Sequence, residues 1–298
     1  MKPFFRWAGS KASLVDAIAS RLPGLIDTYY EPFAGSAALF LHLAEEGRIR
    51  RAVLGDGSPA VAATLEAVRD DPHGVTAGLA DVNRELNRVR QTVYKAQAYY
   101  QLCARNLIRR QEPARTAALF LFLNQTCFNG LWRTNREGLL NTPPDLARVA
   151  AWRPDPDPIK HASRLLKTTN AEIRHADFSR TLGVALGSEG QRNQSVVYLD
   201  PPYLPETASG FKSYTSEGFR PSDFADLMEL VAQLTLRHHR VVLSTSIHPL
   251  AMSTIWSLAE TGRLPGANVE TLSTRRRIAA SPERRGNRDE LLMVAGGR

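Results

Sequence analysis

Thr28-Tyr-Tyr-Glu-Pro-Phe-Ala-Gly-Ser36, continuing as Ala37-Ala-Leu-Phe-Leu-His-Leu-Ala-Glu-Glu46, decides the fold. The aromatic run 28–33 reads as a short strand. Ala-Gly-Ser reads as a tight turn, and the apolar stretch after it as a helix. Arg51 to Gly55 reads as a second strand ending at Asp56, and Pro59 to Arg69 as a second helix. Further strands are expected at 171–175, 195–199, 241–246, 269–273 and 291–295, with a helix from Ser222 to Arg237. Strands alternating with helices specify an α/β sheet, largely parallel. The helical stretch from about 60 to 165 interrupts that alternation and reads as an inserted, mainly helical domain. It holds a long helical pattern from Asp81 to Asn124 and a hairpin expected at 125–142 with Asn129-Gly130 as its turn. A Pro- and Asp-rich connection follows at 143–160. Residues 1–59 and 166–298 then form the expected sheet domain.

Composition narrows the function. The chain has 298 residues, 43% hydrophobic and 23% charged, an ordinary globular balance. Cys103 and Cys127 are the only cysteines, which excludes a disulfide scaffold and a Cys-rich zinc site. The most apolar run, Ala117 to Leu123, is far shorter than the roughly 20 residues of a membrane span. Arg6 and Lys11 sit where a signal peptide would be apolar, so a cytoplasmic protein is expected. The net charge of +8 is unevenly spread. From Arg84 to Arg115 eight cations face two acids, and from Arg263 to Arg298 eight arginines face four acids. Two such clusters can grip a polyanion in one groove, or they can be two solvated helix faces.

Four motifs carry chemistry. In Glu31-Pro32-Phe33-Ala34-Gly35-Ser36 the glycine lets backbone approach a ligand where a strand ends. Asp56 follows 21 residues after Gly35, the placement of an acid that receives ribose hydroxyls. The spacing lacks GxGxxG, which points to a nucleoside ligand without a diphosphate. Asp200-Pro201-Pro202-Tyr203 follows the apolar strand Val-Val-Tyr-Leu. Two prolines remove two donors and stiffen the loop. An acceptor-rich pocket for a planar amine results, with Tyr203 offering a ring for stacking. Trp7 and Lys11 flank a glycine turn near the start. In the stretch Asn124 to Asn135, Asn129, Arg133 and Asn135 are of the kinds that read base edges.

With these motifs in place, the chain resembles the Dam-like, D12 class family of DNA adenine-N6 methyltransferases. The matching blocks are FFRWAGSK, EPFAGSAALF, NQTCFNGLWRTN, HADF, YLDPPYLPETASGFKSYTSEGF and RRRIAASPERRGNRDELLMV, in family order. The chain departs from the family at Gly57-Ser58 after Asp56, at AGSK for AGGK, and at Gln125 to Phe128. The resemblance implies a Rossmann-like methyltransferase sheet and transfer of a methyl group from S-adenosylmethionine, leaving S-adenosylhomocysteine. The acceptor would be N6 of an adenine flipped from duplex DNA, at a GATC-like site. It implies that Trp7, Lys11, Glu31 to Ser36, Asp56, Asp177, Phe178 and Asp200 surround the cofactor. Asp200, Pro201, Pro202 and Tyr203 would be catalytic, and Phe128, Asn129, Leu131, Arg133 and Asn135 would contact DNA. No metal is expected. A bacterial or phage-encoded monomer is expected, acting in DNA modification, phage protection or beside a cognate restriction endonuclease. Competing readings are a methyltransferase for another planar amine and a DNA-binding protein without activity.

Overall fold

The computed structural model describes residues 1–109, 112–188, 195–205, 219–275 and 287–297. Seven strands form one sheet: β1 (Ile26–Glu31), β2 (Ile49–Asp56), β3 (Glu172–His175), β4 (Ser195–Leu199), β5 (Arg240–Ser246), β6 (Asn268–Arg275) and β7 (Asn287–Ala295). Their order is β3-β2-β1-β4-β5-β7-β6. The first five run parallel, and β7 is antiparallel to both β5 and β6. The order 3-2-1-4-5 is that of a doubly wound sheet, and it reverses between β1 and β4. The expected α/β class with a mostly parallel, Rossmann-like sheet is the fold observed.

Strands of a parallel sheet are covered on both faces and therefore read as continuous apolar runs. All five residues of β4 are buried. The first strand ends at Glu31 rather than Phe33, because Pro32 has no N–H for the ladder. Helix α1 (Val15–Ala19) and helix α2 (Ala38–Glu45) follow the N-terminal segment and β1. Six residues of α2 are buried.

Between β2 and β3 lie α3 (Pro59–Asp70), α4 (Pro72–Val89), α5 (Val93–Leu107), α6 (Pro113–Thr126), α7 (Leu146–Ala151) and α8 (Asp157–Thr168). The long pattern from 81 to 124 is thus three helices. Thr92 is extended and starts α5, and Pro113 occupies the first turn of α6, where its missing N–H costs nothing. The stretch 143–160 is a connection only in part, since it contains α7 and the start of α8. Helix α6 is buried from Ala117 through Asn124. Phe120 packs on Phe5 and Trp132 at 5.5 and 4.6 Å between ring centres, and Phe122 packs on Trp152 at 4.8 Å. These rings join the helical segment and the N-terminal residues to one face of the sheet in a continuous core. The other face packs beneath α9 (Phe178–Leu186), α10 (Pro221–Leu236) and α11 (Pro249–Glu260).

The expected hairpin at 125–142 takes another form. Asn129 and Gly130 do have positive φ, 55° and 67°, but they sit in a 3-10 turn (Phe128–Gly130) with no strands beside it. Two isolated bridges, Cys127 to Pro144 and Thr134 to Leu140, hold the segment together. The chain reverses at Asn135 to Gly138 instead. There the Asn135 side chain accepts from the amides of Glu137 and Leu139 at 3.0 and 2.9 Å. A side chain that mimics a backbone turn fixes the reversal at that point. Arg110, Arg276, Arg277, Arg284, Arg285 and Arg298 of the two basic clusters, and residues 206–218, lie outside the described residues.

Candidate active site

A cleft of about 850 Å³ opens at the carboxyl ends of β1, β2 and β4, where the strand order reverses. Crevices at that place are the ligand sites of open α/β sheets. Its wall takes Trp7 and Lys11 from the N-terminal segment and residues 31–36 from the turn after β1. Asp56 comes from β2, Asp177 and Phe178 from the start of α9, and residues 200–203 from the loop after β4. Every residue expected at the cofactor or the reacting amine therefore lines one cavity.

The turn after β1 is built around Asp56. One carboxylate oxygen accepts the Gly35 amide and the other the Ser58 amide, each at 2.8 Å. Gly35 has φ +47°, and a Cβ there would lie 2.6 Å from Trp7 Cδ1, so only glycine fits beneath the indole. Glu31, 3% exposed, accepts from the Tyr29 hydroxyl at 3.1 Å. Burial raises the Glu31 carboxyl well above the ordinary carboxylate range. Burial also pushes Asp56 up to about 6, against the pull of its two amides. Beside these acids, Phe33 and Phe178 stack at 5.5 Å and 27°, and Phe219 meets both rings edge-on. Asp177 caps α9 through the Ser179 amide at 2.9 Å and is otherwise exposed at the rim.

The second half of the cleft is an ion cluster. Lys11 donates to Asp200 Oδ1 and lies 3.2 Å from Glu290 Oε1. Its Nζ sits 5.1 Å from the centre of the Tyr203 ring. Burial opposes the charge on Lys11, but Asp200, Tyr203 and Glu290 together hold its pKa above the ordinary value. Burial pushes Asp200 up to about 6, although Lys11 pulls the other way. Glu31 and Asp56, both buried, and the half-buried Asp200 against one buried lysine give the described lining an excess of acceptors. Such a set suits a ligand that brings positive charge and N–H or O–H donors.

The D12 class N6 adenine-specific DNA methyltransferase family matches residues 7–270 of this sequence. The DNA adenine methylase of Escherichia coli K12 is 30% identical over 296 residues, covering 98% of this chain and 95% of its own. The chain belongs to the D12 class of N6 adenine-specific DNA methyltransferases. The type II methyltransferase M.MjaIII of Methanocaldococcus jannaschii is 29% identical over 255 residues, with 83% and 84% covered. The DNA adenine methylase of Haemophilus influenzae is 25% identical over 298 residues, with 100% and 94% covered. The protein is therefore an adenine-specific DNA methyltransferase, and its DPPY segment and β1 turn lie in one cleft.

In this methyltransferase the loop residues singled out for DNA stand apart from the cleft lining. Phe128 is 51% exposed, and Arg133 and Asn135 are exposed. Asn129 and Leu131 are half-buried. The Asn135 side-chain oxygen is already used inside the loop, which leaves only its NH2 group for a partner. Asn124, fully buried, exchanges bonds of 2.9 and 2.8 Å with the Arg6 backbone and so ties the loop's root to the segment bearing Trp7 and Lys11.

Two participants were not singled out from the sequence. Glu290 accepts the Tyr203 hydroxyl at 2.8 Å and the Ser244 hydroxyl at 3.2 Å. Phe219 completes the aromatic corner. The signal for Glu290 was an acid opening the apolar strand Leu-Leu-Met-Val-Ala, where a solvated residue would be ordinary.

Proposed function

We propose that the cleft binds S-adenosylmethionine and a flipped target adenine side by side. The excess of acidic acceptors in the cleft beside the DPPY loop, at the strand-order reversal, carries the proposal. The donor set fits this group. Asp56 has both oxygens tied to amides at the edge of the cavity and retains lone pairs for ribose hydroxyls. Glu31 suits the cationic end of the amino acid, and the Phe33–Phe178 corner suits an adenine ring. When bound, S-adenosylmethionine supplies an electrophilic methyl group on a sulfonium.

The protein's own part is positioning and electrostatics. An adenine inside a duplex is out of reach, so it leaves the stack, and stacking on Tyr203 offsets roughly 1 to 3 kcal/mol of the loss. Asp200 accepts an N–H of the amino group, which favours a nitrogen lone pair available for attack. Asp200 also takes the proton that leaves N6. Residues 1–59 and 166–298 would form the catalytic part. Residues 60–165 would form the target-recognition part, gripping phosphates with the cations between Arg84 and Arg115 and reading bases with the 128–135 loop. A GATC-like target is the specific expectation, and sequencing of modified adenines from a methylation-free host tests it. Asp200→Ala should abolish methyl transfer while DNA binding persists. Turnover at the wild-type rate in that variant would sink the assignment.

A further inference from the structure

The ammonium of Lys11 holds the seat that the reaction needs. It is bonded to Asp200 Oδ1 and lies against the Tyr203 ring. The amine of a flipped adenine would approach that same carboxylate and that same ring, and Lys11 crowds both. Lys11 must therefore release Asp200 when the base arrives, and a buried ammonium cannot be left without a partner. Glu290 is the second carboxylate within reach, 3.2 Å from Nζ and 2% exposed. It arrives there because β7 is antiparallel, so its Glu290 pairs with Ser246 at the carboxyl end of β5.

Glu290 is also held rigidly. Ser244 donates to Oε1 and the Tyr203 hydroxyl to Oε2, at 3.2 and 2.8 Å. We infer that Glu290 is a positioning residue for methyl transfer: it takes over Lys11 when Asp200 turns to the target amine, and it fixes the Tyr203 ring through its hydroxyl. Charge balance favours this hand-over. With Lys11 and Glu290 neutralising each other, Asp200 is left as the one free negative charge beside N6, where positive charge develops. The inference rests on the proposed role of Asp200 as the acceptor of that amine.

The test is Glu290→Gln, which keeps the shape and one acceptor oxygen for Ser244, lets the amide NH2 donate to the Tyr203 hydroxyl, and removes the charge. The single-turnover methylation rate should fall about thirtyfold or more, the low end of what unpairing a buried charge costs. S-adenosylmethionine affinity by calorimetry and DNA affinity should stay at wild-type values. That split, a slower chemical step with both affinities intact, is what the hand-over of Lys11 requires. A merely structural Glu290 would lose affinity along with the rate. An undiminished rate in Glu290→Gln, or a fall matched by lost S-adenosylmethionine or DNA affinity, overturns the inference. Should Glu290→Gln fail to fold, Glu290→Asp draws the charge back by one methylene and should lower kcat with KM for DNA unchanged; a wild-type kcat there overturns it equally. Asp200→Asn, assayed in parallel, separates the two ideas. Wild-type methylation by Asp200→Asn removes the proposed role of Asp200, whereas a dead Asp200→Asn beside an unaffected Glu290→Gln removes only the role of Glu290.

Discussion

Gly35→Ala puts a methyl group where the cleft wall has no room for one. The residue has φ +47°, and the added Cβ would lie 2.6 Å from Trp7 Cδ1 and 3.2 Å from Nε1. Two costs add. A side chain in the left-handed region costs roughly 1 to 2 kcal/mol. The overlap with a ring that is itself packed adds about 1 to 3 kcal/mol, the usual cost of overfilling a site. Gly9 separates them: its φ is +84°, but nothing lies within 4 Å of a Cβ built there. Gly9→Ala should therefore lose only the backbone part, and Gly35→Ala about 2 to 5 kcal/mol in all. The damage should also reach the ligand site, because the Gly35 amide is one of the two bonds that aim Asp56. Urea unfolding followed by circular dichroism gives the stability difference, and calorimetry gives the S-adenosylmethionine affinity. Trp7→Ala in the Gly35→Ala background should return the overlap part but not the backbone part, a non-additivity expected of touching residues. If Gly35→Ala is no worse than Gly9→Ala and binds S-adenosylmethionine normally, contact with Trp7 is not the reason for this glycine.

Asp200 is raised to about 6 by burial, so kcat/KM, which reports the free enzyme, should climb about tenfold per pH unit below 6 and level above it as the carboxylate forms. A flat profile from pH 5 to 8 contradicts a required Asp200 carboxylate. Asp56 shares the direction and the value, so S-adenosylmethionine should bind more weakly below about pH 6, measurable by calorimetry at two pH values. Arg133→Ala should relax the sequence preference by about 1 to 3 kcal/mol at one base position, read by single-molecule sequencing of methylated DNA. Unchanged specificity would mean that Arg133 reads no base. DNA affinity should fall steeply with salt, as the net +8 charge and the cations between Arg84 and Arg115 require, and a flat dependence would remove the phosphate-gripping role.

The sheet was legible because its information is local. A βα turn needs a strand, a glycine and an apolar helix in succession, and 28–46 supplies all three. Parallel strands buried on both faces announce themselves as apolar runs, as β4 does. The loop after α6 was not legible to the same degree. Asn129-Gly130 has the residues of a hairpin turn and the left-handed backbone to match, yet no strands form beside it. What decides the reversal is the Asn135 side chain closing on two amides, and many asparagines in loops have that option without using it.

Glu290 marks the other limit. Whether an acid at the head of an apolar strand is solvated or buried depends on the direction in which that strand enters the sheet. Had β7 run parallel to β5, Glu290 would lie at the far edge, away from the cleft. Because it runs antiparallel, the register Ser246–Glu290 sets its carboxylate among Ser244, Tyr203 and Lys11. Lys11 shows the same limit, since it lines the cleft beside Trp7 as expected and also reaches Asp200. From the sequence it neighbours Trp7 and the turn that approaches the ligand, and nothing local places it on Asp200, 189 residues away. Local pattern thus identified the groups that line the cleft, while the non-local strand pairing determined which of them hold one another in place.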